Sequence, residues 1–351
     1  MNIIARGPPG LTEMDLQDSA ALRSLPLVTM YLTERCNSRC VTCDYWRTGR
    51  VDMSLESVAR WLPGLAALGT RVVLVSGGEP LLNPQWAAIA EQLKSRGLKL
   101  WLLTAGLSLA KHAAQVCAVF DSVTVSLDGT RRETYTAIRG LDAFDSVCEG
   151  IRNVAALGMP VNLRVTVQRA NYRELSLFVN LARELGAHQV SFLAADVSNP
   201  HAFGRDLPGG IAGDIALDAA DLVEFGRILD EMELAQAADF RSGFIAESPA
   251  KLRRILDYYK AVRDKGPFPP VKCNAPEFSA VIEATGKVRP CFFIPGPAGA
   301  ADADLERALN DPPMARLRSD IRSQRRAECS RCVCSMWRDP ESFATAWGEA
   351  P

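Results

Sequence analysis

The sequence predicts an α/β fold with about two domains. The chain has 351 residues, and a typical domain has about 150. Between residues 27 and 193 it contains six short runs of consecutive apolar residues, which are typical of parallel strands covered on both faces. Longer amphipathic stretches separate these runs. Six strand–helix units fit either a partial (β/α) barrel or an open doubly wound sheet, and periodicity alone does not choose between them.

Each of the six predicted strands is rich in Val, Leu and Ile, as buried strands are. They cover Leu27 to Thr33, Arg71 to Ser76, Leu98 to Thr104, Ser122 to Leu127, Val161 to Val167 and Gln189 to Leu193. The helix after the first strand contains Pro63, which lacks a backbone N–H and whose ring clashes with the preceding turn. We therefore expect Pro63 to kink or shorten that helix.

Residues that typically begin or end helices indicate two of the later helices. Asn83 and Pro84 form a capping pair, with Asn as N-cap and Pro in the first helical position. Asn171 with Glu174 resembles a capping box. Gly186 stands where the second of these helices should end.

The alternation of apolar runs with amphipathic stretches stops after Leu193. Residues 194–215 are predicted to form a long loop, which at this length indicates a functional segment, and His201 within it is a candidate for substrate contact. Helical patterns return at Ala219 to Ala235 and Pro249 to Val262. From Pro267 onward long elements are few, so we predict a second, smaller domain there.

Composition excludes two functional classes. Lys and Arg number 40 against 41 Asp and Glu, for a net charge of -1, which argues against binding nucleic acid or anionic membranes through bulk positive charge. The N-terminus has no apolar secretory segment, and no uncharged apolar run approaches the roughly 20 residues that span a bilayer. We therefore expect a cytoplasmic protein, in which clustered cysteines indicate metal binding or catalysis rather than disulfides.

Three cysteines, Cys36, Cys40 and Cys43, form a C-x3-C-x2-C pattern directly after the first predicted strand. Three thiolates on one short loop can bind three irons of a cubane and leave the fourth iron open for a ligand. The alternatives are three core cysteines or a zinc site that lacks its fourth ligand. Cys117 and Cys148 stand singly among apolar residues and are predicted to be core residues.

Small and polar residues follow two of the strands, at the carboxyl ends where α/β folds build their sites. The second strand ends in Ser76-Gly77-Gly78-Glu79-Pro80, and the fourth in Ser126-Leu127-Asp128-Gly129. Together with the cysteine loop, this pattern resembles the radical S-adenosylmethionine (SAM) superfamily, whose cluster loop and GGEP motif match in order. The resemblance covers about residues 27 to 193 and implies a partial (β/α)6 TIM-like barrel.

The resemblance also implies cofactors and their ligands. Cys36, Cys40 and Cys43 would hold a [4Fe-4S] cluster whose open iron is chelated by SAM. Gly77, Gly78, Glu79 and Pro80 would receive the methionyl amino group, since glycines allow close backbone approach and a carboxylate or carbonyl suits an ammonium. Thr104, Ser126 and Arg164 are candidates for the SAM carboxylate or ribose. The family usually has an aromatic residue where this chain has Thr42, so adenine packing would fall to Tyr45 or Trp46.

A second set of cysteines lies near the C-terminus. Cys273 is followed after twelve residues by Gly286 and after four more by Cys291, and Cys329, Cys332 and Cys334 come later. Two predicted short strands, Ser279 to Glu283 and Lys287 to Pro290, flank a hairpin turn at Thr285-Gly286 and would bring Cys273 and Cys291 together. Four thiolates suffice for a closed cluster or a tetrahedral zinc site.

This second pattern resembles the SPASM/Twitch extensions of radical SAM enzymes. It stops short of a full SPASM pattern, which implies the Twitch form with one auxiliary [4Fe-4S] cluster. The implied ligands are Cys273, Cys291, Cys329 and Cys332. Cys334 would replace Cys332 or be a spare thiol near the substrate.

The predicted organisation has four parts: an N-terminal extension at residues 1–26, a radical SAM partial barrel at 27–235, a helical linker at 236–266 and a Twitch-like domain at 267–351. The resemblance implies reductive cleavage of SAM to a 5′-deoxyadenosyl radical that abstracts a substrate hydrogen. It also implies a one-electron donor such as flavodoxin or ferredoxin.

An auxiliary cluster favours net oxidation, so we expect dehydrogenation of a small hydroxylated metabolite such as a sugar or aminocyclitol. Only 26 residues precede the first strand, too few for the leader-binding domain that peptide maturases often carry. The alternatives are a ribosomal-peptide maturase, a radical epimerase that uses Cys334 as hydrogen donor, and a non-catalytic iron–sulfur electron-transfer protein.

Overall fold

The structure is a computed structural model that describes residues 21–205, 211, 213–297 and 304–340. The strands are β1 (Leu27–Thr33), β2 (Val72–Gly77), β3 (Lys99–Thr104), β4 (Ser122–Ser126), β5 (Val161–Val167), β6 (Gln189–Ala194), β7 (Ser279–Ile282) and β8 (Val288–Arg289). The helices before β6 are α1 (Tyr45–Thr48), α2 (Leu55–Ala67), α3 (Trp86–Lys94), α4 (Leu109–Val119), α5 (Arg132–Arg139), α6 (Phe144–Ala156) and α7 (Leu175–Glu184). Those after it are α8 (Ala219–Ala235), α9 (Ala237–Ser242), α10 (Pro249–Asp264), α11 (Leu305–Asn310), α12 (Pro312–Arg322) and α13 (Ala327–Ser330).

The strand order decides between the two α/β architectures. The eight strands form one sheet in the order β6-β5-β4-β3-β2-β1-β7-β8, and every pair from β1 to β6 is parallel. A doubly wound sheet reverses its strand order at a switch point, whereas a (β/α) barrel adds each strand beside the last. The sheet is therefore an unclosed, partial barrel, and the six predicted strands are confirmed to within one residue at each end.

The register brings the predicted site residues to one edge of the sheet. Thr33 at the end of β1 is paired with Gly77, and Thr104 at the end of β3 is paired with Val125. Carboxyl ends of parallel strands share an edge, so the loops that carry the sequence motifs all emerge on the same side.

The first long helix runs through its proline. α2 begins at the N-cap Ser54, whose side chain accepts from Ser57 N, and continues past Pro63 to Ala67. The expectation that Pro63 shortens the helix is therefore wrong. The buried residues Trp61 and Leu65 on either side of it hold the helix against the core, and this packing outweighs the one backbone hydrogen bond that proline removes.

The capping box predicted from Asn171 and Glu174 is also wrong. Glu174 lies in a 3-10 turn before α7, and its carboxylate accepts from the backbone and hydroxyl of Thr130 at 2.8 Å each. Asn171 donates its amide to the carbonyl of Asp128 at 3.0 Å. Both side chains therefore hold the loop that follows β4. Gly186 ends α7 with φ of 75°, as predicted.

The core has two parts on opposite faces of the sheet. Val28, Met30 and Leu32 belong to the large cluster between sheet and helices, which also contains the buried Cys148 and packs against Cys117. Residues at alternate positions of a strand point to the other face. There Leu27, Val72 and Trp101 form a small cluster with Ala275 and Phe278.

The C-terminal hairpin extends the sheet. β7 runs parallel to β1, with Leu27 paired to Ser279 and Met30 to Ile282, and β8 returns antiparallel. Gly286 in the turn has φ of 83°, which confirms the predicted hairpin. The domain boundaries at residues 27, 236 and 267 stay predictions. Within the described residues, no helix is both long and apolar enough to cross a membrane.

Candidate iron–sulfur and SAM site

The three N-terminal cysteines lie on the loop that leaves β1, and each is half-buried. The loop is held by the last turn of α5, because Arg39 N donates to Arg139 O at 2.9 Å and Val41 N donates to Ile138 O at 3.0 Å. Burial raises the pKa of Cys36 to about 11 and of Cys43 to about 12. A bound metal reverses this effect, because it binds the thiolate form.

Both motif glycines are in contact with the cysteine loop. Gly77 has φ of 131°, and a Cβ there would lie 2.3 Å from the carbonyl oxygen of Thr33. A Cβ on Gly78 would lie 2.3 Å from the carbonyl oxygen of Arg35. Gly78 N and Glu79 N donate to the same two carbonyls at 2.8 Å each. The glycines thus allow the end of β2 to pack directly against the start of the cysteine loop.

Glu79 is fully buried, and neighbouring groups engage both of its carboxylate oxygens. Oε1 accepts from Leu81 N at 3.2 Å, Oε2 accepts from Ala105 N at 2.7 Å, and the Thr104 hydroxyl donates to both. Burial raises the pKa of Glu79, while these three donors act in the opposite direction. Pro80 begins the buried 3-10 turn Pro80–Leu82. This network fixes the turn that follows the two glycines.

Ser126 and Arg164 are direct neighbours across β4 and β5. Among the described residues, Arg164 Nε is buried without a hydrogen-bond partner. Burial raises the pKa of Glu247, and Arg164 partly offsets this rise; it acts in the same way on Cys334. Its neighbours Leu163 and Val165 belong to the large cluster between sheet and helices, so Arg164 points to the opposite, inner face of the sheet.

A buried ion pair joins the loop after β4 to the cysteine loop. Arg139 Nη2 lies 2.8 Å from Asp128 Oδ2, with the two side chains 9% and 5% exposed. Arg139 Nη1 donates to Cys40 Sγ at 3.5 Å. Asp128 Oδ1 accepts from Thr166 N at 2.7 Å. The sequence therefore places a guanidinium beside one of the three thiols.

The two candidate aromatic residues point to different neighbours. The ring of Tyr45 lies edge-on to that of Tyr31 at 6.1 Å, and Tyr31 also approaches Phe292 at 6.5 Å. Trp46 Nε1 donates to Cys40 O at 3.4 Å, and the Arg47 guanidinium stacks over its ring at 4.1 Å. Tyr31 thus lies between Tyr45 and the C-terminal segment, while Trp46 supports the cysteine loop itself.

The five C-terminal cysteines lie close enough to influence one another. Burial raises the pKa of Cys291 to about 12, and the thiols of Cys273 and Cys329 add to this rise. Burial also raises the pKa of Cys332, with Cys334, Cys291 and Cys273 contributing. Burial also raises the pKa of Cys334, and Cys273 adds to this rise, while Arg164 and Lys251 oppose it. Cys273 and Met336 pack against the small cluster that contains Leu27, Val72 and Trp101, so Cys273 lies over the inner face of the sheet.

The loop after β6 contacts the N-terminal cysteine loop and Phe293, which lies two residues after Cys291. Phe203 O accepts from Asp44 N at 2.9 Å and from Cys43 Sγ at 3.4 Å, and the Phe203 ring meets Phe293 edge-on at 5.7 Å. Asn199 donates to Phe293 O at 2.8 Å. Part of the predicted loop, residues 206–210 and 212, lies outside the described residues. The exposed His201 influences the pKa of Glu328 on α13.

The residues at the N-terminal site suit an iron–sulfur cluster. Thiolates are the usual ligands of such clusters, and buried polar atoms normally have partners. Among the described residues, Asn37 Oδ1 and Ser38 Oγ, between the first two cysteines, are buried without one. In the described ranges, no group of three or more Asp, Glu, His or Cys side chains is placed to hold a single metal ion. An iron–sulfur cluster does not need such a group, because each of its thiolate ligands binds a different iron.

Sequence reasoning missed two residues at this site. It noted Asp128 only as a polar residue at a strand end, and it did not single out Arg139. The one local signal is the glycine at position 140, which caps the end of α5 with φ of 73°. The contact from Arg139 to Cys40 spans 99 residues, and nothing in the local sequence pattern indicates it.

Comparison with protein families gives two matches. The radical SAM superfamily model matches residues 30–182, and the SPASM iron–sulfur cluster-binding domain model matches residues 273–333. The first match contains the cysteine loop, Gly77 to Pro80 and the strand ends of β3 to β5. The second begins at Cys273 and ends one residue after Cys332.

Relatives with named activities share part of the chain. The AdoMet-dependent heme synthase of Methanosarcina barkeri is 31% identical over 175 residues, which are 48% of this chain and 50% of the relative. Fe-coproporphyrin III synthase of the same organism is 31% identical over 48% of this chain and 43% of the relative. These two matches thus span half or less of each relative. A probable GTP 3′,8-cyclase of Saccharolobus solfataricus is 27% identical over 77% of this chain and 84% of that protein.

Solved structures share the fold. SuiB of Streptococcus suis bound to S-adenosylmethionine has a TM-score of 0.64 and 16% identity, covering 87% of this chain and 70% of SuiB. The anSMEcpe protein with bound AdoMet has a TM-score of 0.60 and 19% identity, covering 83% and 82% of the two chains. At these identities the likeness concerns the fold, and it agrees with a partial barrel followed by a cluster domain.

The two domain matches also define the cofactors, which are a [4Fe-4S] cluster with SAM for the first domain and an auxiliary iron–sulfur cluster for the second. They agree with the motifs on the β1 and β2 loops and with the convergence of the C-terminal cysteines. The chain therefore contains a radical SAM domain at residues 30–182 and a C-terminal SPASM-type iron–sulfur domain at residues 273–333.

Proposed function

We propose that this radical SAM enzyme binds its first cluster through Cys36, Cys40 and Cys43. The observation that carries the proposal is the packing of the GGEP turn against the cysteine loop, in which Gly78 and Glu79 are hydrogen-bonded to the carbonyls of Thr33 and Arg35. When bound, the cluster supplies the electron that cleaves SAM to methionine and a 5′-deoxyadenosyl radical, which abstracts a substrate hydrogen.

The protein groups around this site would bind and orient SAM. Gly77, Gly78, Glu79 and Pro80 form the turn proposed to receive the methionyl amino group. Because the Glu79 carboxylate already accepts from several donors, its main role would be to hold this turn, with Thr104 as a positioning residue. Ser126 and Arg164 would bind the SAM carboxylate or ribose, and the unpartnered Arg164 Nε supports this role.

The auxiliary cluster would be held by Cys273, Cys291, Cys329 and Cys332. The thiols of Cys273 and Cys291 both act on Cys332, which supports this set. Cys334 is proposed to face the barrel interior instead, since Arg164 and Lys251 are the cations that influence it. An auxiliary cluster on the inner face of the sheet would lie beside the substrate space.

Net oxidation of a small hydroxylated metabolite, such as a sugar or aminocyclitol, is the reaction we propose first. Its support is the second cysteine set, which would hold an iron–sulfur cluster able to accept the electron left on a substrate radical. One electron from a flavodoxin or ferredoxin would start each turnover, in the cytoplasm. The relatives named above are a heme synthase, an Fe-coproporphyrin III synthase and a probable cyclase. The proposal of net oxidation therefore rests on the auxiliary cluster alone.

A peptide substrate is the second candidate. The observation that favours it is the likeness to SuiB bound to its precursor peptide SuiA, with a TM-score of 0.66 over 92% of this chain. Epimerisation of such a peptide would need a hydrogen donor, and Cys334 is the thiol proposed for it. A Cys334→Ala protein that abstracts hydrogen but does not complete the product would support epimerisation.

The test of the proposed function is iron and acid-labile sulfide per chain after anaerobic reconstitution. The parent is compared with a variant in which Cys36, Cys40 and Cys43 are all alanine. About eight irons falling to about four would support two [4Fe-4S] clusters, and about four falling to none would overturn the auxiliary cluster. With dithionite and SAM, the parent should form 5′-deoxyadenosine; its absence would favour an electron-transfer protein.

A further inference from the structure

We propose that Arg139 and Asp128 form a charge pair that sets the reduction potential of the cluster bound through Cys40. Arg139 would favour the reduced state of the cluster and Asp128 would oppose it. The inference rests on the proposed role of Cys36, Cys40 and Cys43 as cluster ligands. It makes Arg139 a positioning residue that acts through a thiolate.

Two nitrogens of the Arg139 guanidinium have partners, while its Nε is buried without one among the described residues. Its Nη1 donates to Cys40 Sγ at 3.5 Å, and its Nη2 lies 2.8 Å from Asp128 Oδ2. The backbone carbonyl of Arg139 accepts at 2.9 Å from the N–H of Arg39, which is the residue before Cys40. A Cβ on Gly140 would lie 2.4 Å from Arg39 O, so the end of α5 is in tight contact with the loop.

The carboxylate and the backbone carbonyl of Asp128 are also held by hydrogen bonds. Its Oδ1 accepts from Thr166 N on β5 at 2.7 Å, and its carbonyl accepts from the Asn171 side chain at 3.0 Å. Burial raises the pKa of Asp128, while the Arg139 guanidinium and the Thr166 backbone N–H oppose that rise and favour the charged carboxylate. The pair therefore presents one positive group to the sulfur and keeps the negative group behind it.

Electrostatics gives the two residues opposite effects. Reduction of a cluster by one electron adds one negative charge, which spreads onto its thiolate sulfurs. Hydrogen bonds to those sulfurs and the local charge are among the determinants of cluster potential. Arginine stays charged at all relevant pH values, and both side chains are shielded from water, so their fields act with little screening.

The test is an EPR-monitored potentiometric titration of the reconstituted full chain, following the signal that changes when SAM is added. Arg139→Gln should shift the midpoint potential to a more negative value. Asp128→Asn should shift it to a more positive value, because it leaves the guanidinium uncompensated. Arg139→Lys should shift it less than Arg139→Gln. Iron per chain is measured for every variant.

Arg132→Gln is the matched control, because Arg132 lies on the same helix but is half exposed and pairs with the exposed Asp142 and Asp145; it should leave the potential unchanged. Opposite shifts in Arg139→Gln and Asp128→Asn support the proposal. Shifts of the same sign, or no shift at parental iron content, overturn it. If Arg139→Gln loses iron, the sign of the Asp128→Asn shift decides.

Failure of the proposed cluster ligands would look different from failure of this inference. If the variant with Cys36, Cys40 and Cys43 replaced by alanine still shows the SAM-responsive signal, the ligand assignment is wrong. If that signal is lost in the triple variant but the two charge variants keep the parental potential, only the role of Arg139 and Asp128 is wrong.

Discussion

The Thr104 hydroxyl lies 2.8 Å from one carboxylate oxygen of Glu79 and 2.9 Å from the other. The same hydroxyl accepts from Gly106 N at 2.9 Å, so β3 and the turn after β2 are joined through one side chain. Both residues are almost completely shielded from water. Removal of the hydroxyl would leave a buried carboxylate with one donor fewer.

We expect Thr104→Val to lower the free energy of unfolding by about 1–3 kcal/mol, the usual cost of a lost partner for a buried polar group. It should also weaken SAM binding, because Glu79 would no longer be held. Urea unfolding and equilibrium SAM binding to the reconstituted protein measure the two effects. Thr104→Ser keeps the hydroxyl and should stay close to the parent, and a Thr104→Val protein with parental SAM affinity would contradict the role.

Two glycines provide a matched test of the contact between α5 and the cysteine loop. Gly140 and Gly158 have φ of 73° and 81°, but a Cβ would meet Arg39 O at 2.4 Å in the first and nothing within 4 Å in the second. Gly158→Ala should cost only the left-handed backbone strain, about 1–2 kcal/mol. Gly140→Ala should cost more and should also lose iron from the N-terminal cluster. Equal unfolding free energies with equal iron contents would show that the contact is unimportant.

The last two cysteines should respond differently to substitution. Cys332→Ala should remove the auxiliary cluster signal and the iron that belongs to it, because a closed cluster requires four ligands. Cys334→Ala should keep that iron, since Arg164 and Lys251 rather than a cluster are its proposed surroundings. Iron analysis and Mössbauer spectroscopy measure both. Loss of iron in Cys334→Ala with retention in Cys332→Ala would exchange the two assignments.

Glu247 should make stability depend on pH. Burial raises the pKa of Glu247 above its ordinary value of 4.5, although Phe192 N donates to it. A group that holds its proton more tightly when folded stabilises the protein below its unfolded pKa, and this advantage is lost as pH rises through the folded pKa. The unfolding free energy of the parent relative to Glu247→Gln should therefore fall as pH rises above 4.5.

Urea denaturation at a series of pH values measures this difference for Glu247→Gln. The control is Glu231→Gln on α8, where the carboxylate is 61% exposed and pairs with Arg227 at the surface. Its difference from the parent should vary little with pH, because surface pairs contribute little to stability. A Glu247→Gln difference that is constant across the series would rule out the proposed linkage.

The strands and the cysteine loop could be predicted because their signals are local. A buried parallel strand such as Val161–Val167 shows consecutive apolar residues, and Cys36, Cys40 and Cys43 lie within eight residues of one another. The strand order could not be read from periodicity, since a barrel and a doubly wound sheet use the same strand–helix units.

The side-chain partners at the site could not be predicted from the local sequence. Glu174 has the spacing of a capping box, but tertiary contacts with Thr130 take its carboxylate instead. Pro63 disfavours a helix locally, but packing of its neighbours retains one. The glycines of the GGEP turn were expected to make room for SAM, whereas their missing Cβ atoms are first required by the backbone of Thr33 and Arg35.

The parallel pairing of β1 with β7 has a consequence for synthesis on the ribosome. β1 has β2 on one side, but on its other edge Leu27 to Met30 are paired with Ser279–Ile282, which are made some 250 residues later. A nascent chain that has already folded its first βα units therefore presents an open strand edge for most of translation. Such an edge is a template for pairing with another chain, and the hairpin between Cys273 and Cys291 is also the element that closes it.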